Sequence, residues 1–101
     1  MRKTFKLTHP KIEVPRLIEA IKRDVNKYVR RERKKKLPAN IDFWDFDCKF
    51  GHTEDNVTTI HLAEIGKCID KAGTQQLESF YLEILVKPGF RKKREQSETS
   101  L

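Results

Sequence analysis

The stretch Asp42-Phe43-Trp44-Asp45-Phe46-Asp47-Cys48-Lys49-Phe50 decides the fold. Trp44, Phe46, Cys48 and Phe50 alternate with Phe43, Asp45, Asp47 and Lys49. An extended chain puts the first set on one side and the second, mostly charged, on the other. A helix would scatter both sets around its axis. Residues 42–50 are therefore expected to form a strand with one face in a core and one in water. The polar run Gly51-His-Thr-Glu-Asp-Asn56 follows as a loop. Val57-Thr-Thr-Ile-His61, rich in β-branched residues, then returns as a short strand, and the two form a hairpin.

Working outward, Lys3-Thr-Phe-Lys-Leu-Thr-His9 alternates polar and apolar residues, with Phe5 and Leu7 on one side, and Pro10 ends this first short strand. From Val14 the apolar positions are Leu17, Ile18, Ile21, Val25, Tyr28 and Val29. At 100° per residue they fill an arc about 120° wide, the stripe of a helix packed on a core. Pro15 suits its first turn, and Pro38 forces an end before it. Beyond the hairpin, Leu62, Ile65, Cys68, Ile69 and Ala72 recur at helical spacing, with Gly73 placed as a C-cap glycine. Ser79 to Lys87 is the most apolar segment and reads as a buried strand, closed by Pro88-Gly89.

The element order is β-α-β-β-α-β. It predicts an α+β two-layer sandwich of ferredoxin-like type, with a four-stranded antiparallel sheet and two helices on one face. Without a strand at 57–61, the order is β-α-β-α-β with three strands. Residues 1–89 form the single domain that 101 residues allow. Residues 90–101 are polar and aperiodic, a tail expected to be disordered. A chain this short buries roughly 60–65% of its unfolded surface, which leaves little for a deep cleft or an evident small-molecule site.

The charge is uneven. Residues 22–36 hold nine basic residues against Asp24 and Glu32, a net of +7 that equals the net charge of the whole chain. Residues 37–86 carry three basic and nine acidic side chains. On the helical wheel Arg16, Arg23, Lys27, Arg30 and Lys34 gather opposite the apolar stripe, with Arg31 beside them. Such a file can follow a phosphate backbone, each contact releasing condensed counterions. The first expectation is a non-catalytic module that contacts RNA or DNA through helix 16–36. A charged outer face that is merely solvated explains the same residues. The alternative function is a protein-interaction or self-associating domain using a sheet edge or an acidic sheet face.

The open sheet face is expected to carry Lys6, Asp45, Asp47, Lys49, Thr59, His61, Tyr81 and Glu83. Its one aromatic and three carboxylates make poor terrain for nucleotides, and no RNP1-type motif is present. Asp42, Asp45 and Asp47, with Glu83 or His61, have the chemistry for a hard cation or acid–base work, but no EF-hand-type or HExxH pattern supports either. Cys48, His52 and His61 match no zinc spacing, and Cys48 and Cys68 fall on apolar faces as small hydrophobes. Phe43 is expected beneath the loop around Leu37 and Pro38. GxSxG, P-loop and GxGxxG motifs are absent, so no cofactor, metal or catalytic residue is assigned.

Lys3-Thr-Phe-Lys-Leu-Thr-His-Pro-Lys11, Val14-Pro-Arg-Leu-Ile-Glu-Ala-Ile21, Leu37-Pro38, Asp42 to Gly51, Ile60-His-Leu62, Leu77 to Ile84 and Lys87-Pro-Gly89 resemble a family of short uncharacterised bacterial proteins. The resemblance spans residues 3–89 and implies a bacterial, cytoplasmic protein, with no activity to carry over. Cytoplasmic placement also suits two unframed cysteines, the absence of a signal-peptide core and the lack of any apolar run long enough for a membrane.

Overall fold

A computed structural model describes residues 1–91. The chain runs β1 (Arg2–Lys6), α1 (Val14–Arg33), β2 (Phe43–Thr53), β3 (Asn56–Ile60), a 3₁₀ turn (Leu62–Glu64) leading into α2 (Ile65–Thr74), and β4 (Ser79–Gly89). The short return strand exists, which removes the three-strand alternative. The expected tail, from residue 92 on, lies outside the described residues.

The four strands form one sheet in the order β1-β4-β2-β3, each neighbouring pair antiparallel. A ferredoxin-like sandwich instead places its first and third strands in the middle, so the strand order departs from that expectation. The physical reason lies in length and composition. β2 and β4 have 11 residues each, β1 and β3 only five. Placing the two long apolar strands side by side lets each hydrogen-bond on both edges and leaves the short polar strands at the rims.

Both helices cover one face. Phe80, Leu82 and Ile84 of β4 join Phe5, Leu7, Phe46 and Cys48 from beneath, and Ile21, Val25, Val29, Ile65, Ile69 and Ala72 of the helices from above, in a single core cluster. The Phe80 ring stacks on Phe5 at 5.4 Å and on Phe50 at 5.0 Å between centroids. Cys48 is buried in this layer, where desolvation first and then Asp47 and Asp45 push its thiol up to about 11. Such a thiol is not a nucleophile at neutral pH. Cys68, expected to be buried, is only half-buried.

Several local expectations are corrected. β2 continues through Thr53 with a bulge between Gly51 and Thr53, so the expected loop shrinks to a tight turn. Gly73 lies inside α2, whose C-cap is Gln75, and the left-handed residue after it is Gln76 with φ 58°. Pro88 and Gly89 belong to β4 rather than closing it. Pro88 is tolerated there because β1 pairs only with residues 79–83, leaving that flank of β4 unpaired. Phe43 does not tuck under the Leu37 loop. Its ring lies over Gly89, its cross-strand partner, and it remains 39% exposed. Trp44 turns the other way, donating its indole N–H to the Lys35 carbonyl at 2.9 Å.

Candidate anion-binding surface

α1 spans 20 residues with Pro at its start and Arg30, Arg31 and Arg33 in its last turn, where they complement the negative end of the helix dipole. Its core stripe of Ile21, Val25 and Val29 is buried, which forces the opposite side outward. Arg16, Arg23, Lys27, Arg30, Arg31 and Lys34 are all exposed. The sequence-predicted file is therefore on one open surface, as the wheel requires.

Only two of the nine basic residues of segment 22–36 find ion-pair partners among the described residues. Lys22 Nζ meets Asp70 of α2 at 2.7 Å, and Lys35 Nζ meets Glu32 at 3.0 Å. Arg33 lies over the Phe46 ring at 5.7 Å. Arg23, Lys27, Arg30, Arg31 and Lys34 make no ion pair among the described residues. Glu19, four residues before Arg23, and Asp24, three before Lys27, flank the file, and neither makes an ion pair among the described residues. Glu32 is instead on the core-facing side, only 8% exposed. Counting charges along the chain had set it against the basic residues at large, but its burial confines it to Lys35 and to Tyr28, whose hydroxyl pKa is raised by burial and then by this carboxylate.

Beside the file the two helices part. A Cβ on Gly73 would run into Ile18 of α1, so the helices nearly touch there. A Cβ on Gly66, seven residues earlier, would meet nothing nearer than Lys22 Cε at 4.0 Å. The helices thus form a wedge that widens toward the basic half of α1. It opens as a cleft of about 490 Å³, with Val25, Val29, Leu62, Ile65 and Ile69 for a floor and Lys22, Asn26, Arg30 and Arg33 along its lip. Among the described residues no carboxylate lines it. Sequence reasoning missed this cleft. Its signal was the pair Gly66 and Gly73, seven apart on one helix face, of which Gly73 looked like a terminator.

The open sheet face is not acidic. Register places Arg2, Lys6, Lys49 and Lys87 there with Asp45, Asp47 and Glu83. Asp47 pairs with Lys87 at 2.7 Å, and Glu83 pairs with Arg2 at 3.4 Å and accepts the Tyr81 hydroxyl at 2.9 Å. Tyr81, expected exposed, is only 4% exposed beneath these side chains. Burial raises the pKa of its hydroxyl, and the Glu83 hydrogen bond and charge raise it further.

The other candidate groups are dispersed. Asp45 Oδ1 accepts the Phe46 N–H at 2.8 Å, and Asp42 Oδ2 accepts the Arg91 N–H at 2.7 Å. His61 N–H donates to Glu64 Oε1 at 2.8 Å, entering the 3₁₀ turn rather than β3, and His52 is exposed on β2. Among the described residues no three His, Cys, Asp or Glu side chains converge as metal ligands. No helix of the described residues is long and apolar enough to cross a membrane.

The class these observations define is an α+β two-layer protein with a four-stranded antiparallel sheet, two helices and a cleft between them. The chain belongs to the family of unknown function DUF6172, whose model matches residues 1–95. Comparison with curated proteins and with solved structures gave no match.

Proposed function

We propose that the protein binds the sugar–phosphate backbone of RNA or DNA through the outer face of α1, without strong sequence preference. The observation that carries this reading is the file Arg23, Lys27, Arg30 and Lys34, exposed and without intramolecular ion pairs among the described residues. The file extends about 16 Å at a rise of 1.5 Å per residue, enough to reach several successive phosphates of a strand. Four such contacts give a log–log salt slope of about −3 on a single strand. A filter-binding titration of labelled single-stranded RNA should then lose roughly 50-fold in affinity between about 50 and about 200 mM salt. Absence of binding at the lower salt, or binding insensitive to it, overturns the reading. The two-layer α+β architecture enters only as a scaffold, since the face used here is the helical one and not the sheet.

A second reading, self-association, draws on a separate observation. Phe43, Val86 and Phe90 are exposed apolar side chains on or just beyond the long strands, Phe90 by 60%. Size-exclusion chromatography with light scattering tests it, and a strict monomer at high concentration removes it.

A further inference from the structure

We propose that the wedge between α1 and α2 is a binding site for a straight-chain amphiphilic carboxylate. The alkyl chain lies along the helices, and the head is held by Arg30 and Arg33. The site shares Arg30 with the outer file of α1 but none of its other cations, and it does not rest on nucleic-acid binding.

Four features of the wedge point to this ligand chemistry. Its floor is aliphatic, with Leu62 partly open above the core residues Val25, Val29, Ile65 and Ile69, and an apolar body can settle against it. Its charged lip is wholly cationic, which selects an anionic head. The shape is elongated: Lys22 to Arg33 spans twelve helical residues, eleven rises or about 16 Å, within a cleft of about 490 Å³. A narrow trough of that length suits a chain better than a compact ring system. The polarity along the trough is also fixed. Lys22, at the end of the trough nearer the Gly73–Ile18 contact, is already neutralised by Asp70 at 2.7 Å. Arg30 makes no ion pair among the described residues, and Arg33 is engaged only with the Phe46 ring. A guanidinium fork binds a carboxylate in bidentate fashion, so the head belongs at the wide end and the chain terminus near Gly66 and Lys22. Asn26 adds an amide donor along the same lip.

Gly66 supplies a specific test. The space over its α-carbon is open to a Cβ and Gly66 lines the trough, so Gly66→Leu projects a side chain into it from α2 and replaces a poor helix former with a good one. The probe is dodecanoate below its micellar concentration, titrated into the full chain by calorimetry. The native protein should bind it at least about tenfold more tightly than dodecyltrimethylammonium, which has the same chain and the opposite head. Gly66→Leu and Arg30→Gln should each lower dodecanoate affinity by about tenfold or more, whereas Lys27→Gln, on the outer pole, should change it less than about twofold. Circular dichroism checks that each variant folds. Independently of any variant, dodecanoate should shift the native amide resonances of Val25, Val29, Ile65 and Ile69 before those of the sheet face. Equal binding of the two amphiphiles, undiminished binding by Gly66→Leu, or equal losses from Arg30→Gln and Lys27→Gln would overturn the proposal. Amide shifts spread over the whole surface would overturn it as well.

Discussion

The two faces of this molecule handle charge in opposite ways. On the sheet face Asp47 and Glu83 each have a cation within ion-pair distance, Lys87 and Arg2 respectively. On the outer face of α1, Arg23, Lys27, Arg30 and Lys34 have no such partners among the described residues. The difference teaches that a run of like charge in a sequence is not yet a patch. The acidic excess of residues 37–86 dissolves because β1 and the end of β4, both outside that window, bring Arg2 and Lys87 into register with it. The basic excess of 22–36 survives because α1, which ends at Arg33 rather than at the expected residue 36, and the three lysines directly after it carry it, and only one side of that helix packs.

The strongest way to break this contrast is charge reversal. Arg23→Glu, Lys27→Glu, Arg30→Glu and Lys34→Glu together should weaken single-stranded RNA binding by about 100-fold or more at low salt, measured by filter binding. Lys6→Glu with Lys49→Glu, on the sheet face, should cost less than about threefold. A sheet-face loss about half as large on a logarithmic scale, in proportion to the charge reversed, would mean that only net charge matters. Beneath both faces, Phe80→Ala should cost about 3–5 kcal/mol in urea denaturation, since its ring is fully buried between Phe5 and Phe50. A loss below about 1 kcal/mol would show that the two layers are not locked through this ring.

A smaller effect separates the two ends of the wedge. Gly73→Ala should destabilise by about 1–3 kcal/mol, because its methyl meets Ile18. Gly66→Ala should be neutral or stabilising by about 0.5 kcal/mol, because its methyl meets open space. Matching values would deny that the helices diverge. The smallest effect is a titration. Tyr28 and Tyr81 both have hydroxyls raised above the ordinary 10.0, so absorbance at alkaline pH should show both ionising above that value in the folded protein. Because the folded-state values exceed the unfolded one, their contribution to stability is full below pH 10 and is lost as pH rises beyond it. Glu83→Gln should lower the Tyr81 midpoint and leave Tyr28 unmoved. Movement of both would contradict the separation of the faces.

Much of this was legible in the chain. Periodicities of two and 3.6 located all four strands and both helices, because side-chain direction is set locally by backbone geometry. The same wheel that predicted the buried stripe of α1 also predicted its bare side. Boundaries set by long-range pairing were less legible. β2 runs on to Thr53 because Asn56 to Ile60 offers it partners, and β4 carries Pro88 because β1 ends short of it. Gly73 shows the limit most plainly: a glycine near a helix end resembles a cap until the neighbouring helix, with Ile18 against it, is in place.

The sequence by itself determined the elements, the faces they bury and the side of α1 on which its cations gather, since each follows from spacing along one segment. Tertiary structure alone decided the strand order, the neutralisation of the sheet face, the burial of Tyr81 and Glu32, and the cleft between the helices. Those features depend on which distant residues meet, and that is settled by the competition to bury the longest apolar strands and to close the helices over them, not by any local preference.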